Sequence, residues 1–263
     1  MQIHNTFLFA SELDGALLPN GTFTAAAGCL ERTGQLLERL KAADYPVAYV
    51  TDHDLSSARE GQGIFGLPEP SYWVCNLGTE IYDAAGNPDE DWKRTMGPPF
   101  DKKTLWSALK ENPGLTPQED GKQGSHKFGF YCSEPDDALR AWISTRIEPL
   151  VEGARLIQGI EASSQLTSFD LIPVVAGGAR ALAHLAEKLG LPSSRVFFSG
   201  GGESDLDALM SGVCGTLVGN TAPAIQDRAR ELAESREGAR LTLSRGYYGD
   251  GIIEGLRIYN FLA

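Results

Sequence analysis

Cysteine, histidine, basic residues and long apolar stretches are all scarce in this chain, and each shortage narrows what it can be. Cys29, Cys75, Cys132 and Cys214 stand far apart with no Cys-x-x-Cys pair. That spacing signals neither a zinc knuckle nor a redox dithiol and predicts reduced, mostly buried thiols. His4, His53, His126 and His184 are equally scattered, so no histidine metal site is signalled. No run approaches the roughly 18 apolar residues of a membrane span, and residues 1–9 carry neither a basic start nor a long apolar segment. The expectation is a cytoplasmic protein without a membrane partner. Lys and Arg total 23 against 35 Asp and Glu, a formal net charge of −12. Nucleic acid is excluded as a partner by repulsion from its phosphates, and a small anionic ligand would need local rescue. Internal repeats and low-complexity tracts are absent as well. What the chain does have is length and apolar content. With 263 residues, 42% of them hydrophobic, it can bury a full core as one large domain or a domain with an insertion.

The most informative stretch is an apolar run closed by acids. Phe7-Leu8-Phe9-Ala10 suits a central strand buried on both faces, and Glu12, Asp14 and Gly15 follow where that strand would end. In an open parallel sheet that carboxyl end is where ligands bind. Residues 25–43 place Leu30, Leu36, Leu37 and Leu40 at roughly helical spacing, and residues 45–50 return as an apolar strand, so the two strands of this βαβ unit should run parallel. Thr51 follows directly, as either a ligand-binding or a strand-ending residue. Residues 71–82 read as two short strands around a turn at Gly78. From about Asp83 the composition shifts to Gly, Pro and charge, with a strand predicted at 126–131, a helix at 136–147 and a strand at 155–160. Residues 168–173 are expected to return the chain to its first unit. A helix at 177–188, a strand at 195–198, the glycine-rich loop 199–205 and a helix at 206–210 follow.

These segments, taken in order, resemble the haloacid dehalogenase (HAD) superfamily, in its sucrose-phosphate phosphatase branch. The first motif of that superfamily, an apolar strand followed by Asp-x-Asp-Gly-Thr, reads Glu12-Leu13-Asp14-Gly15-Ala16 here. Thr51 falls where the superfamily places a hydroxyl on the phosphoryl group. Gly78-Thr79-Glu80-Ile81 matches a segment of the branch, Gly200 and Asp205 match part of the metal-binding motif, and Gly219-Asn220 and the stretch 249–259 match its closing markers. The resemblance implies an α/β fold, a doubly wound and mostly parallel sheet with a Rossmannoid core (1–83 and 168–263) and an inserted α+β cap (84–167). It further implies Mg²⁺ chemistry on sugar phosphates, with Glu12 and Asp14 at the catalytic positions. Glu12, Asp14 and Asp205 would hold the metal, Thr51 the substrate, and Trp92 and Lys127 of the cap the sugar.

Several departures from the pattern bear on chemistry. Glu12 stands one methylene longer than the superfamily's nucleophilic Asp, and Ala16 removes a hydroxyl. Asp52-His53-Asp54 replaces Gly-Arg-Ser, Gly178 falls at the position of a Lys, and Gly201 replaces the first metal-binding Asp. Arg180, two residues beyond Gly178, lies on another face of the predicted helix. An anion attacking a phosphate dianion meets about 4 kcal/mol of repulsion per charge pair at 4 Å and an effective dielectric of 20. A displacement near 1 Å costs about a hundredfold where in-line geometry matters. The expectation is a protein that binds a sugar or sugar phosphate between core and cap with impaired or absent phosphatase activity, and with Mg²⁺ bound weakly or not at all. An active Mg²⁺-dependent phosphatase using Glu12 and Asp14 stays open, as does a non-enzymatic module for a cation or a protein partner. Anion binding by the backbone at Gly177-Gly178 and Gly200-Gly201-Gly202 is a further reading.

Overall fold

A computed structural model of the chain describes residues 3, 6–133, 135–160 and 166–263. In chain order the first unit runs β1 (Leu8–Glu12), α1 (Cys29–Ala42), β2 (Val47–Val50), α2 (Leu55–Ile64), β3 (Tyr72–Cys75), β4 (Glu80–Asp83) and α3 (Glu90–Thr95). Then come α4 (Lys102–Leu109), β5 (Leu115–Pro117), β6 (Phe128–Cys132), α5 (Asp137–Ile147), β7 (Ala154–Ile160) and β8 (Thr167–Pro173). The chain closes with α6 (Gly178–Lys188), β9 (Val196–Gly200), α7 (Leu206–Leu209), β10 (Cys214–Leu217), α8 (Pro223–Ser235), β11 (Leu241–Leu243) and α9 (Tyr248–Ile258).

Two sheets organise these elements. The larger has seven strands in the order β11-β10-β9-β1-β2-β3-β4, parallel except for the antiparallel β3–β4 pair at one edge. Strand β1 lies between β9 and β2, pairing Phe9 with Phe197 on one side and with Val47 on the other. Covered on both faces, it needs apolar residues at successive positions rather than at alternate ones. Phe9, Tyr49, Trp73 and Phe197 face one helical layer with Leu36, Leu37 and Ile252, while Leu8, Ala48, Val74 and Phe198 face the other with Leu182, Leu185 and Leu209.

The smaller sheet, β5-β6-β8-β7, is antiparallel throughout and packs Phe128, Phe130 and Phe169 against Leu105, Leu109 and Ile143 of α4 and α5. Strand β8 therefore belongs to this second sheet, and the chain regains the first sheet only after Pro173, later than the sequence reading placed it. A strand with both faces buried reads alike in either sheet, so periodicity could not assign it. Helix α3 also sits elsewhere than expected, because Trp92 and Met96 pack in the apolar layer of the larger sheet. No described helix is long and apolar enough to cross a membrane.

Candidate functional site

Glu12 ends β1, Thr51 follows β2, and the loop after β9 carries Gly201 to Asp205, so all three reach the carboxyl edge of the larger sheet beside its central strand. The chain turns sharply after Glu12. Gly15 takes a left-handed φ of 71° that costs a residue without Cβ little, and Leu17 N–H and Leu18 N–H donate to the carbonyls of Glu12 and Leu13 at 3.2 and 2.8 Å. Asn220 fixes the turn from across the sheet, its Nδ2 donating to Gly15 O at 2.7 Å while Tyr248 N–H donates to its Oδ1 at 2.8 Å. Asn20 Nδ2 donates to Asp14 Oδ1 at 2.6 Å, and Gly15 N–H donates to Asn20 Oδ1 at 2.8 Å.

Glu12 and Asp205 form the innermost pair. Asp205 is buried, and its Oδ2 accepts from Gly201 N–H and Gly202 N–H, each at 2.8 Å. Burial pushes the Asp205 carboxyl up to about 6 even though these two amides and a hydrogen bond from Glu12 oppose the shift. Glu12 is raised well above the ordinary range, first by desolvation and then by the charges of Asp205, Asp52 and Asp14. Both carboxyls of this pair are thus pushed upward, by burial first and by the surrounding carboxylate charge next.

Beside this pair, Asp14, Asp52 and His53 converge, each offering one ligand atom within 4.8 Å of the others. His53 Nε2 lies 3.8 Å from Asp14 Oδ2 and 3.7 Å from Asp52 Oδ1. Two lysines come down onto Asp52 from the segment around the second sheet. Lys127 Nζ donates to Asp52 O at 2.7 Å, and Lys122 Nζ lies 3.5 Å from Asp52 Oδ2. Burial would raise the Asp52 carboxyl, but Lys127, His53 and Lys122 together hold it below the ordinary range. Lys127 Nζ is also 3.5 Å from Asp170 Oδ1, whose carboxyl desolvation keeps raised despite the lysine.

The residues expected at the site thus divide. Glu12, Asp14 and Asp205 share one edge, with Thr51 beneath them. Thr51 is 1% exposed, its N–H donates to Val74 O at 2.9 Å and its Oγ1 accepts from His53 N–H at 3.2 Å, the bonding of a residue that shapes the loop. Trp92 does not face the cleft: it is 5% exposed, its indole N–H donates to Gly78 O at 3.2 Å and its ring rests beside His184. Lys127 is fully buried, its Nζ directed at Asp52 O and Asp170. Helix α6 begins at Gly178 as expected, with no cation at that position. Sequence reasoning gave no role to Asn20, and Lys122 carried no signal, because its contact with Asp52 depends on how the second unit docks.

Comparison with known proteins agrees with this architecture. The model of the family "Sucrose-6F-phosphate phosphohydrolase" matches residues 5–260. An HAD-like protein of Nitrosococcus oceani is 26% identical over 264 residues, covering 95% of this chain and 70% of its own length. Sucrose-phosphatase 1 of Nicotiana tabacum is 27% identical over 199 residues, 73% of this chain but 45% of that protein. Among solved structures, the sucrose-phosphatase of Synechocystis sp. PCC6803, in complex with sucrose and phosphate, superimposes with a TM-score of 0.80 at 21% identity, covering 99% of this chain and 100% of that one. The HAD-like hydrolase protein yhjK of Bacillus subtilis has a TM-score of 0.66 at 19% identity, covering 100% and 95%. The fold, the order of its motifs and the span of the family match together make this chain a member of the sucrose-6F-phosphate phosphohydrolase family within the HAD superfamily.

Proposed function

We propose that this chain binds a sugar or sugar phosphate at the sheet edge bearing Glu12 and Asp14, beneath the second sheet, and hydrolyses phosphate esters poorly or not at all. The observation that carries this reading is the Glu12–Asp205 pair. A carboxyl in a desolvated pocket, crowded by Asp205, Asp52 and Asp14 and raised by both effects, is a poor attacker of phosphorus. The sugar class rests on the family and on the relative that binds sucrose and phosphate. The residues present do not fit the Mg²⁺ site that the family resemblance implies. Asp205 Oδ2 is already engaged by two amides, and Gly201 brings no carboxylate to an ion that needs near-octahedral oxygens. Lys122 and Lys127 are paired with Asp52 and Asp170, and neither stands at the helix start that Gly178 occupies.

Phosphate release from a panel of sugar phosphates with Mg²⁺ tests the proposal. Release near the uncatalysed background is expected, while brisk turnover abolished by Glu12→Ala would overturn it. Restoring the missing groups supplies the converse test. A Cβ at Gly178 would meet Ala208 Cβ at 3.4 Å, an ordinary contact, and one at Gly201 would meet Val218 Cγ2 at 3.2 Å, so Gly178→Lys enters freely and Gly201→Asp requires a small shift of the Val218 side chain. Together with Glu12→Asp they are expected to raise release at least about a hundredfold over the wild-type chain, since each returns a charge or in-line geometry.

A second reading is favoured by the convergence of Asp14, Asp52 and His53 within 4.8 Å: the same edge holds a divalent cation without phosphoryl chemistry. Calorimetry with Mg²⁺, Mn²⁺ and Zn²⁺ separates the readings. Binding lost in both His53→Ala and Asp52→Asn supports it, and the absence of heat with all three ions rejects it.

A further inference from the structure

Away from the carboxyl cluster, a groove of about 800 Å³ runs between the start of β7, α6, α7 and the segment leading into β11. Arg155, Arg180, Arg236 and Arg240 line it, against only Asp207 and Glu237. A surplus of guanidinium groups in one groove runs against the net charge of −12 carried by the whole chain.

The guanidiniums are held in place without being satisfied. Arg155 and Arg236 approach Asp207 from two sides, at 3.5 Å to Oδ2 and 3.8 Å to Oδ1, distances at which neither makes the short bidentate pair an arginine forms with its preferred partner. Arg155 is further positioned by donating to Ala176 O at 3.1 Å, yet its Nε is buried with no hydrogen-bond partner. Gly177 makes this approach feasible, because a Cβ there would meet an Arg155 terminal nitrogen at 2.3 Å. Arg180 is exposed and pairs with no described carboxylate, and Arg240 lies over the Tyr259 ring, 5.6 Å from its centroid.

We propose that this groove binds a small molecule carrying two or more anionic groups, of the diphosphate or bisphosphate kind. A single anion would do little more than duplicate Asp207. A ligand with two separated anionic groups engages Arg155 and Arg236 on one side and Arg180 or Arg240 on the other. A concave groove on a strongly acidic chain suits a small ligand better than a nucleic acid, whose remaining phosphates would be repelled. Arg155 is the second residue of β7 in the smaller sheet, whereas Arg180 lies on α6 and Arg236 and Arg240 on the connection between α8 and β11 of the larger one. Occupancy therefore ties the two sheets together, and Asp207 places the groove two residues from Asp205.

The test uses inorganic pyrophosphate as the probe, in calorimetry and thermal unfolding of the full chain at low salt, with orthophosphate alongside. Pyrophosphate is expected to bind more tightly than orthophosphate and to weaken as salt rises. Arg180→Gln with Arg240→Gln, both exposed and outside any ion pair with a described residue, should fold normally and lose at least about tenfold in affinity. Arg94→Gln with Arg230→Gln, an exposed pair outside the groove that removes the same two charges, and Glu12→Gln should leave the affinity unchanged. Pyrophosphate binding that survives the double variant, disappears in Glu12→Gln, or never occurs overturns the proposal. Amide hydrogen exchange at Ala154–Ile160 should slow in the bound protein, and exchange unaffected by saturating pyrophosphate rejects the bridging role. None of these readouts depends on phosphatase activity, so the outcome is independent of the function proposed above.

Discussion

Glu12 and Asp205 place two carboxyl groups against each other in a buried pocket, and that arrangement has a pH signature. The folded chain binds their protons more tightly than the unfolded chain does. Stability is therefore fully present below the ordinary carboxylate values and falls as pH rises through the Asp205 value of about 6 and on toward that of Glu12. Asp89 acts in the opposite sense. Partly desolvated but hydrogen-bonded by Lys188, Trp92 N–H and His184, it is held at about 2, so its contribution is lost only on acidification below its ordinary 3.8. Urea unfolding between pH 5 and 8, compared between wild type and Glu12→Gln, separates the buried pair from other raised carboxyls such as Asp170. The wild-type chain is expected to lose stability across this range, each unit of separation between folded and unfolded values being worth ~1.4 kcal/mol. Glu12→Gln keeps a donor for Asp205 and removes one titrating group, so its profile should be flatter; an unchanged slope would mean that Glu12 is ionised in the folded state. The identity of residue 12 was legible in the sequence, but the upward push on its carboxyl was not, because desolvation depends on what the fold packs around it.

At the scale of the element, glycine placement decides how closely α9 lies on its neighbours. A Cβ at Gly249 would meet Thr33 Oγ1 at 1.7 Å, and one at Gly255 would meet Thr216 Oγ1 at 2.1 Å, so both glycines mark places where the helix touches α1 and β10 without a side chain between. Gly34 of α1 offers a contrast, having nothing within 4 Å of its would-be Cβ. Gly255→Ala is expected to destabilise by about 1–3 kcal/mol through overpacking, whereas Gly34→Ala should stabilise by about 0.5–1 kcal/mol through helix propensity alone. Denaturant midpoints of the two variants, shifted in opposite directions, check the pair. The stretch 249–259 was read from sequence as a family marker, and the structure supplies the physical reason its glycines stand where they do. Periodicity located α1 and α6 well because both bury one apolar stripe. The short edge strands β5 and β11 escaped it, since three residues carry too little alternation to be recognised.

Across the whole molecule, the two sheets meet through charge. Lys127 is fully buried between Asp52 O and Asp170, and Asp54 N–H donates to Gly121 O at 2.8 Å, fastening the segment ahead of β6 to the loop after β2. Lys127→Met is expected to cost about 3–5 kcal/mol, because it leaves Asp170 buried without its counter-charge. Lys127→Met with Asp170→Asn should recover much of that loss. Urea denaturation of the single and double variants decides the matter, and a single variant as stable as wild type would show that Lys127 is not a buried partner at all.

The sequence by itself determined the α/β class, the central place of Phe7 to Glu12, the order of the family motifs and the departures at Glu12, Gly178 and Gly201, since each of these is a matter of local periodicity or residue identity. Only the tertiary structure decided that β8 joins the smaller sheet, that Trp92 and Lys127 are buried, and that burial raises the carboxyls of both Glu12 and Asp205. Those outcomes depend on which distant segments meet and on how far water is excluded from them, and one-dimensional spacing encodes neither.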